Sequence, residues 1–226
     1  TLPYPDPTIT FSSINNIYGD ANFNLAATSN SGGTISYSIE GANTTGTTLS
    51  GTNSETVTLG NVGSITLRAT QAANGNFSSG TQNITLKIVA AALTVTANAS
   101  QTKVYGATDP TLTFTIDGFV NGDNEASLDT GVVISRVAGE NVGDYTITPS
   151  NASDTNYITG YVTADFSITK ATLTIIGLTG ENKVYDGTTE AQALGTPVLS
   201  GVQTGDVVSL GGAPVFTFAS AEIGTG

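Results

Sequence analysis

From Thr8 onward, apolar residues fall at every second position in short runs separated by clusters of Gly, Asn and Asp. Ile9/Phe11, Phe23/Leu25, Ile35/Tyr37/Ile39, Val57/Leu59, Ile65/Leu67/Ala69 and Ile84/Leu86/Ile88 alternate mainly with Ser, Thr and Asn. A period of two puts each apolar set on one face of a strand, and the intervening clusters supply turns. The pattern predicts about seven strands in this stretch, with Asn74-Gly75 as a hairpin-type turn between the last two. No window carries a sustained 3.6-residue apolar stripe, so essentially no helix is expected. The fold class predicted is all-β: antiparallel β-sandwiches of immunoglobulin type. Before them, Leu2-Pro3-Tyr4-Pro5-Asp6-Pro7 has Pro at every second position and reads as an extended entry linker.

The same scheme returns further along. Leu112/Phe114/Ile116, Val133/Ser135/Val137, Tyr145/Ile147 and Val162/Ala164/Phe166/Ile168 repeat the alternation. Leu93-Thr94-Val95 is answered by Leu173-Thr174-Ile175, and Asn61-Val62-Gly63 by Asn141-Val142-Gly143, both at an offset of 80 residues. A period this long marks tandem whole domains rather than a solenoid of short units. The expected modules are residues 1–90, 91–171 and 172–226. The repeat register leaves the third without its closing strands, so the sequence reads as an interior excerpt whose last module is less protected in hydrogen exchange.

The junctions change the picture from beads on a string to a stiff array. Lys87-Ile88-Val89-Ala90-Ala91-Ala92-Leu93 contains no Gly, Pro or Ser, and Ile168-Thr169-Lys170-Ala171-Thr172-Leu173 has the same character. A flexible tether would be polar and Gly-rich, so one strand is expected to pass directly into the next. Strands of about eight residues at ~3.4 Å rise give modules ~25–35 Å long and an elongated rod.

Composition narrows the function. There is no Cys, Met, Trp or His, and the six cations stand singly against 18 acidic residues, for a net charge of −12. That balance opposes nucleic-acid phosphate and anionic lipid. No apolar run reaches the ~18 residues of a membrane-spanning helix. Without His, a Ser or Thr nucleophile lacks its usual base, and no enzyme activity is expected. Lys103 and Lys183 occupy matching places in their modules. They could be suspected of isopeptide crosslinking, but an exposed strand lysine guarding a sheet edge is the simpler expectation.

The motifs carry a more specific signal. Lys103-Val104-Tyr105-Gly106 with Asp109-Pro110, Val120-Asn121-Gly122-Asp123, Asn141-Val142-Gly143-Asp144-Tyr145 and Asn156-Tyr157 resemble the MBG module of YGX type. Lys183-Val184-Tyr185-Asp186-Gly187-Thr188-Thr189 with Gly205-Asp206 resembles the YDG module. Residues 8–90 look like a divergent relative, keeping Tyr18-Gly19-Asp20 with Asn16 in place of the lysine. The resemblance implies repeats of large secreted bacterial adhesins, of the gliding-motility kind among others. It implies stalk modules on the cell surface and no catalytic residues.

Three further sites are weighed on their chemistry. Asp117, Asp123 and Glu125, with Asp129 near them, form the best calcium candidate, because a loop offering several oxygens suits that ion. Their spacing fits no EF-hand, and turn formation explains the Asp residues more economically. No other cofactor is expected, and neither linker carries a carboxylate for a junction ion. Tyr105 and Tyr185 recur in the same motif and are expected in core or junction packing. Asn141-Val142-Gly143-Asp144-Tyr145 has the form of a tyrosine corner. Tyr157 and Tyr161 flank a predicted turn and are the aromatics to watch for weak binding of surface polysaccharide. Neighbouring modules of the same chain are the other expected partners.

Overall fold

The structure, a computed structural model, describes residues 4–222. Leu2 and Pro3 of the entry linker, and residues 223–226 of the third expected module, lie outside the described residues. The chain divides into two compact units. The first comprises residues 1–99, 112–136 and 146–164, and the second 100–111, 137–145 and 165–226. Among the described residues there is no α-helix, only a 3-10 turn at Glu125–Ser127.

In the first unit, residues 9–89 form strands β1 (Ile9–Thr10), β2 (Ile14–Ile17), β3 (Phe23–Asn24), β4 (Thr28–Ser29), β5 (Ile35–Glu40), β6 (Thr48–Ser50), β7 (Thr56–Thr58), β8 (Gly63–Gln71) and β9 (Gly80–Val89). One sheet runs β2-β9-β8-β5 and the facing one β3-β7-β6, with β1 paired to β4. In immunoglobulin terms β1 and β2 are the two halves of strand A, β3 and β4 are the two halves of B, and β5 to β9 are C to G. The parallel pairing of β2 with β9, Ile14 opposite Leu86, breaks the otherwise antiparallel scheme.

Period-two patterning sets the core. Ile65, Leu67 and Ala69 of β8 and Ile84, Leu86 and Ile88 of β9 all point inward and are buried. Fully burying a side chain such as Leu67 or Leu86 is worth ~1.5–3 kcal/mol relative to leaving it exposed. The predicted turn is present: Asn74 and Phe77 exchange backbone hydrogen bonds across a Gly75 with φ +57°.

The first junction runs as expected, β9 ending at Val89 and β10 (Ala91–Ala97) starting two residues on. Ala91 and Leu93 belong to the same buried cluster as Leu67 and Leu86, so the apolar interior continues past the junction. Further along lie β11 (Gln101–Val104), β12 (Phe114–Asp117), β13 (Val133–Arg136), β14 (Gly143–Ser150) and β15 (Tyr157–Val162). β10 pairs with β12 antiparallel and with β15 parallel, while β13 and β14 form a hairpin ladder. Six residues link β13 to β14, too few for the strands that stand between C and F in the first sandwich. The second module is therefore a reduced version of the first rather than a copy.

In the second unit, β11 pairs in parallel with β16 (Ala164–Thr169), Lys103 opposite Ile168. Then come β17 (Thr174–Gly180), β18 (Glu190–Ala191), β19 (Ala193–Ser200) and β20 (Phe216–Thr217). β17 pairs with β19 and β18 with β20. The second junction departs from expectation: Lys170–Leu173 is not in a strand. No helix of the described residues is long and apolar enough to cross a membrane.

Candidate functional site

A tyrosine closing one parallel strand and a Gly-Asp turn about a hundred residues later meet twice in this chain. In the first unit, β2 ends where its ladder with β9 ends, and the Tyr18 amide donates to the Val89 carbonyl at 2.8 Å. That bond fixes the backbone from which the ring projects. Tyr18 is 8% exposed, and its phenol donates to Asp123 Oδ2 at 3.0 Å. Tyr157, first residue of β15, donates to the same oxygen at 2.7 Å. Its phenol oxygen in turn accepts from the Val120 amide at 3.0 Å.

Aromatic packing surrounds this polar knot. The Tyr18 and Tyr157 rings meet edge to face with centroids 5.5 Å apart, and Phe119 makes the same kind of contact with Tyr157 at 5.6 Å. Such pairs add about 0.5–1.5 kcal/mol beyond the area they bury.

Asp123 is aimed by a tight turn. Its amide donates to the Val120 carbonyl at 2.9 Å, and both central residues, Asn121 (φ +56°) and Gly122 (φ +82°), are left-handed. Asn-Gly is the pair that a turn with positive φ at both centres favours. Gly19 lets the two backbones approach, since a Cβ there would lie 2.3 Å from a Val120 methyl. A second pin lies beside it: Asn156 Oδ1 accepts from the Val62 amide at 2.9 Å.

The second unit repeats the arrangement. The Tyr105 amide donates to the Thr169 carbonyl at 2.8 Å, and its phenol to Asp206 Oδ1 at 2.8 Å. Asp206 closes a turn on Gln203 at 3.1 Å with Gly205 at φ +98°. Here only the third turn residue has positive φ, as in a type II turn, so the same Asp is delivered by a different turn chemistry. Gly106 approaches the Gln203 side chain as Gly19 approaches Val120.

Charge tunes these phenols. Burial, together with the Asp123 carboxylate and against the Val120 amide bond, pushes the Tyr157 phenol up to about 12. Tyr18 is raised too: a bond with Asn121 pulls it down, but burial and Asp123 outweigh it. Tyr105 is raised chiefly by its bond to Asp206. All three are held in the neutral, donating form. A phenol aimed at a carboxylate is a structural link and supplies no nucleophile.

The sequence-predicted residues fall into place around this clasp. Of the two motif tyrosines expected in core or junction packing, Tyr105 bonds to the Asp206 turn, but Tyr185 is not packed and is 59% exposed; Tyr145 forms its corner by donating to the Asn141 carbonyl at 2.8 Å. Tyr157 is not a loop aromatic open to ligands, because it is 6% exposed and inside the clasp. Tyr161 is 41% exposed, with its phenol bonded to the Ala152 carbonyl. Lys103 is not an exposed edge lysine. It is buried and its ammonium contacts Asp109 at 2.7 Å and also Glu140. Those two bonds raise its pKa, so it is held as a cation, which is the unreactive form for amide formation. Lys183 pairs with Asp186 at 2.8 Å and draws that carboxyl down to about 2.

The calcium candidates are not assembled. Asp117 sits on β12 opposite Thr94, Glu125 opens the 3-10 turn, and Asp123 has both phenol protons pointed at one oxygen. Among the described residues no three acidic groups converge to hold a metal ion.

Comparison with known proteins agrees with the motifs. Among solved structures, titin domains z1z2 in complex with telethonin match at 17% identity over 76% of this chain and 100% of that one, with a TM-score of 0.37. The N-terminal four Ig domains of Dscam1 isoform 6.9 match at 14% identity over 75% of this chain, TM-score 0.33, and the chain spans 47% of that structure's length. A SusE-like surface polysaccharide-binding protein of Bacteroides thetaiotaomicron matches at 12% identity over 88% of this chain and 40% of that one, TM-score 0.27. No curated protein matches the sequence. Two family models do match, and the chain carries an MBG domain of the YGX type at residues 93–167 followed by a YDG domain at 169–226.

Proposed function

We propose that residues 1–90, 91–171 and 172–226 are spacer modules in the stalk of a large bacterial cell-surface adhesin, of the gliding-motility kind. In this reading their partners are neighbouring modules of the same chain, they act outside the cell, and they need neither cofactor nor catalytic group. The observation that carries it is the recurrence of one linkage, Tyr18 to Asp123 and Tyr105 to Asp206. A free joint would not repeat a side-chain bond between distant segments, whereas an element that transmits load benefits from one at each joint.

The mechanics follow from the bonds. Pulling the segments apart at Tyr18 must break a charge-assisted hydrogen bond and separate the edge-to-face Tyr18–Tyr157 ring pair together. The parallel ladder of β2 with β9 must shear at the same time. Single-molecule stretching of the 226-residue chain tests this. Discrete unfolding peaks are expected, with the first force lowered in Tyr18→Phe and Asp123→Asn. Featureless extension at low force, or peaks insensitive to both variants, overturns the reading.

A further inference from the structure

We propose that Tyr185-Asp186-Gly187 is a docking edge for the Gly-Asp turn of another module of this kind. The inference rests on the spacer reading and names the partner surface it requires. Tyr18-Gly19 and Tyr105-Gly106 each receive a four-residue turn that ends in Gly-Asp and is closed by an amide-to-carbonyl bond. Tyr185 stands in the same sequence motif, three residues after the start of Asn182-Lys183-Val184, as Tyr105 stands after Thr102-Lys103-Val104.

Its surroundings differ in two respects: Tyr185 follows no strand, β17 ending at Gly180 and β18 starting at Glu190, and the motif is more exposed. Val184 is 90% exposed and Tyr185 59%, while Val104, in the equivalent place, is 49% exposed and Tyr18 only 8%. The turns ending at Asp123 and Asp206 are already taken, by Tyr18 and Tyr105, and the carboxylate of a third, Ile17-Tyr18-Gly19-Asp20, is bonded back to Asn16 and the Ile17 amide. The Tyr185 phenol is thus an apolar ring with a donor at its tip, and the surface that fits it is a carboxylate presented by a left-handed Gly turn.

The neighbouring charges are set for this. Lys183 is paired with Asp186, and Thr188 donates to the same carboxylate from its amide and hydroxyl, so Asp186 is occupied and turned to its own loop. The incoming carboxylate therefore does not meet Asp186 as an unpaired anion, while Glu222 lines the far side of the same groove. Gly187, at φ +74° with open space where a Cβ would stand, leaves room for a second backbone to approach.

The test uses the isotope-labelled 226-residue chain and, as probe, a backbone-cyclised peptide with the sequence of residues 119–124. Amide shifts at residues 183–188 are expected to move on titration and to saturate in the millimolar range. Binding should weaken about tenfold in Tyr185→Phe and with a peptide carrying Asn at the Asp123 position. No shift at millimolar peptide, shifts elsewhere, or shifts unchanged in Tyr185→Phe would overturn the proposal. Should Tyr185→Phe fail to give a native spectrum, the Asn peptide against the unaltered chain decides alone. Stretching experiments probe clasps already within the chain, so their failure and the failure of this docking edge are distinguishable.

Discussion

Tyr18 and Asp123, 105 residues apart in sequence, meet at 3.0 Å and share their contact with a third residue, Tyr157. One carboxylate oxygen thus accepts two phenols. The consequence is an asymmetry between removing a donor and removing the acceptor's charge.

Tyr18→Phe deletes one donor while Tyr157 still serves Asp123, so a loss of about 1 kcal/mol is expected. Asp123→Asn weakens both bonds and should cost about 2–3 kcal/mol. Urea unfolding of the two single variants and the double variant measures this. The double variant should fall short of the sum, because both substitutions disturb one network. Strict additivity would mean that the two groups are not coupled.

Alkaline stability follows from the same knot. The Tyr157 phenol is raised from 10.0 to about 12, so folding favours its protonated form. Its contribution is fully present below pH 10 and is lost as pH rises through about 12; the linkage is of order 2 kcal/mol. Thermal melts between these values should show a falling midpoint, and Tyr157→Phe should flatten that part of the profile. A midpoint that falls equally steeply in the variant would place the titration elsewhere.

How far the sequence foretold this differs by residue. Alternation along Ile65/Leu67/Ala69 revealed β8 because a half-buried strand exposes its periodicity directly. The Gly-x-Tyr corner was legible too, since Tyr145 and Asn141 are four residues apart. β2, Ile14-Asn15-Asn16-Ile17, was not, because its apolar residues do not alternate and its place is set by a parallel partner more than 70 residues away. The clasp was half legible. The Asp residues around Asn121-Gly122 read as turn formers and the repeated motif put Tyr105 in core or junction packing, but nothing local tells a carboxylate which phenol will reach it. Lys103 was misread because a strand-edge position says nothing of Asp109 and Glu140 folding over it.

Lys103 supports a third prediction, an ordering of variants. Its ammonium is almost fully buried, whereas its partners Asp109 and Glu140 remain 38% and 68% exposed. Lys103→Met leaves two carboxylates that water still hydrates. Asp109→Asn with Glu140→Gln leaves a buried cation facing neutral amides, the more costly half of a broken pair. Midpoints in urea should therefore fall in the order unaltered chain, Lys103→Met, double variant. The reverse order would mean that the ammonium is hydrated in solution.

The two glycines that follow the clasp tyrosines make the sharpest comparison. Gly19 and Gly106 have φ of +87° and +83°, so alanine at either is strained by about 1 kcal/mol or more. Their neighbours then separate them. A Cβ at Gly19 would lie 2.3 Å and 2.5 Å from Val120 Cγ2 and Cβ, atoms of a short branched side chain with one stiff torsion. At Gly106 the obstacle is the far end of Gln203, which can swing away at little cost. Gly19→Ala should add about 1–3 kcal/mol of overpacking to the backbone term, and Gly106→Ala should show little beyond that term. Val120→Ala on the Gly19→Ala background should recover part of the loss. Equal destabilisation by the two alanines, with no rescue from Val120→Ala, would show that backbone conformation alone excludes a side chain there.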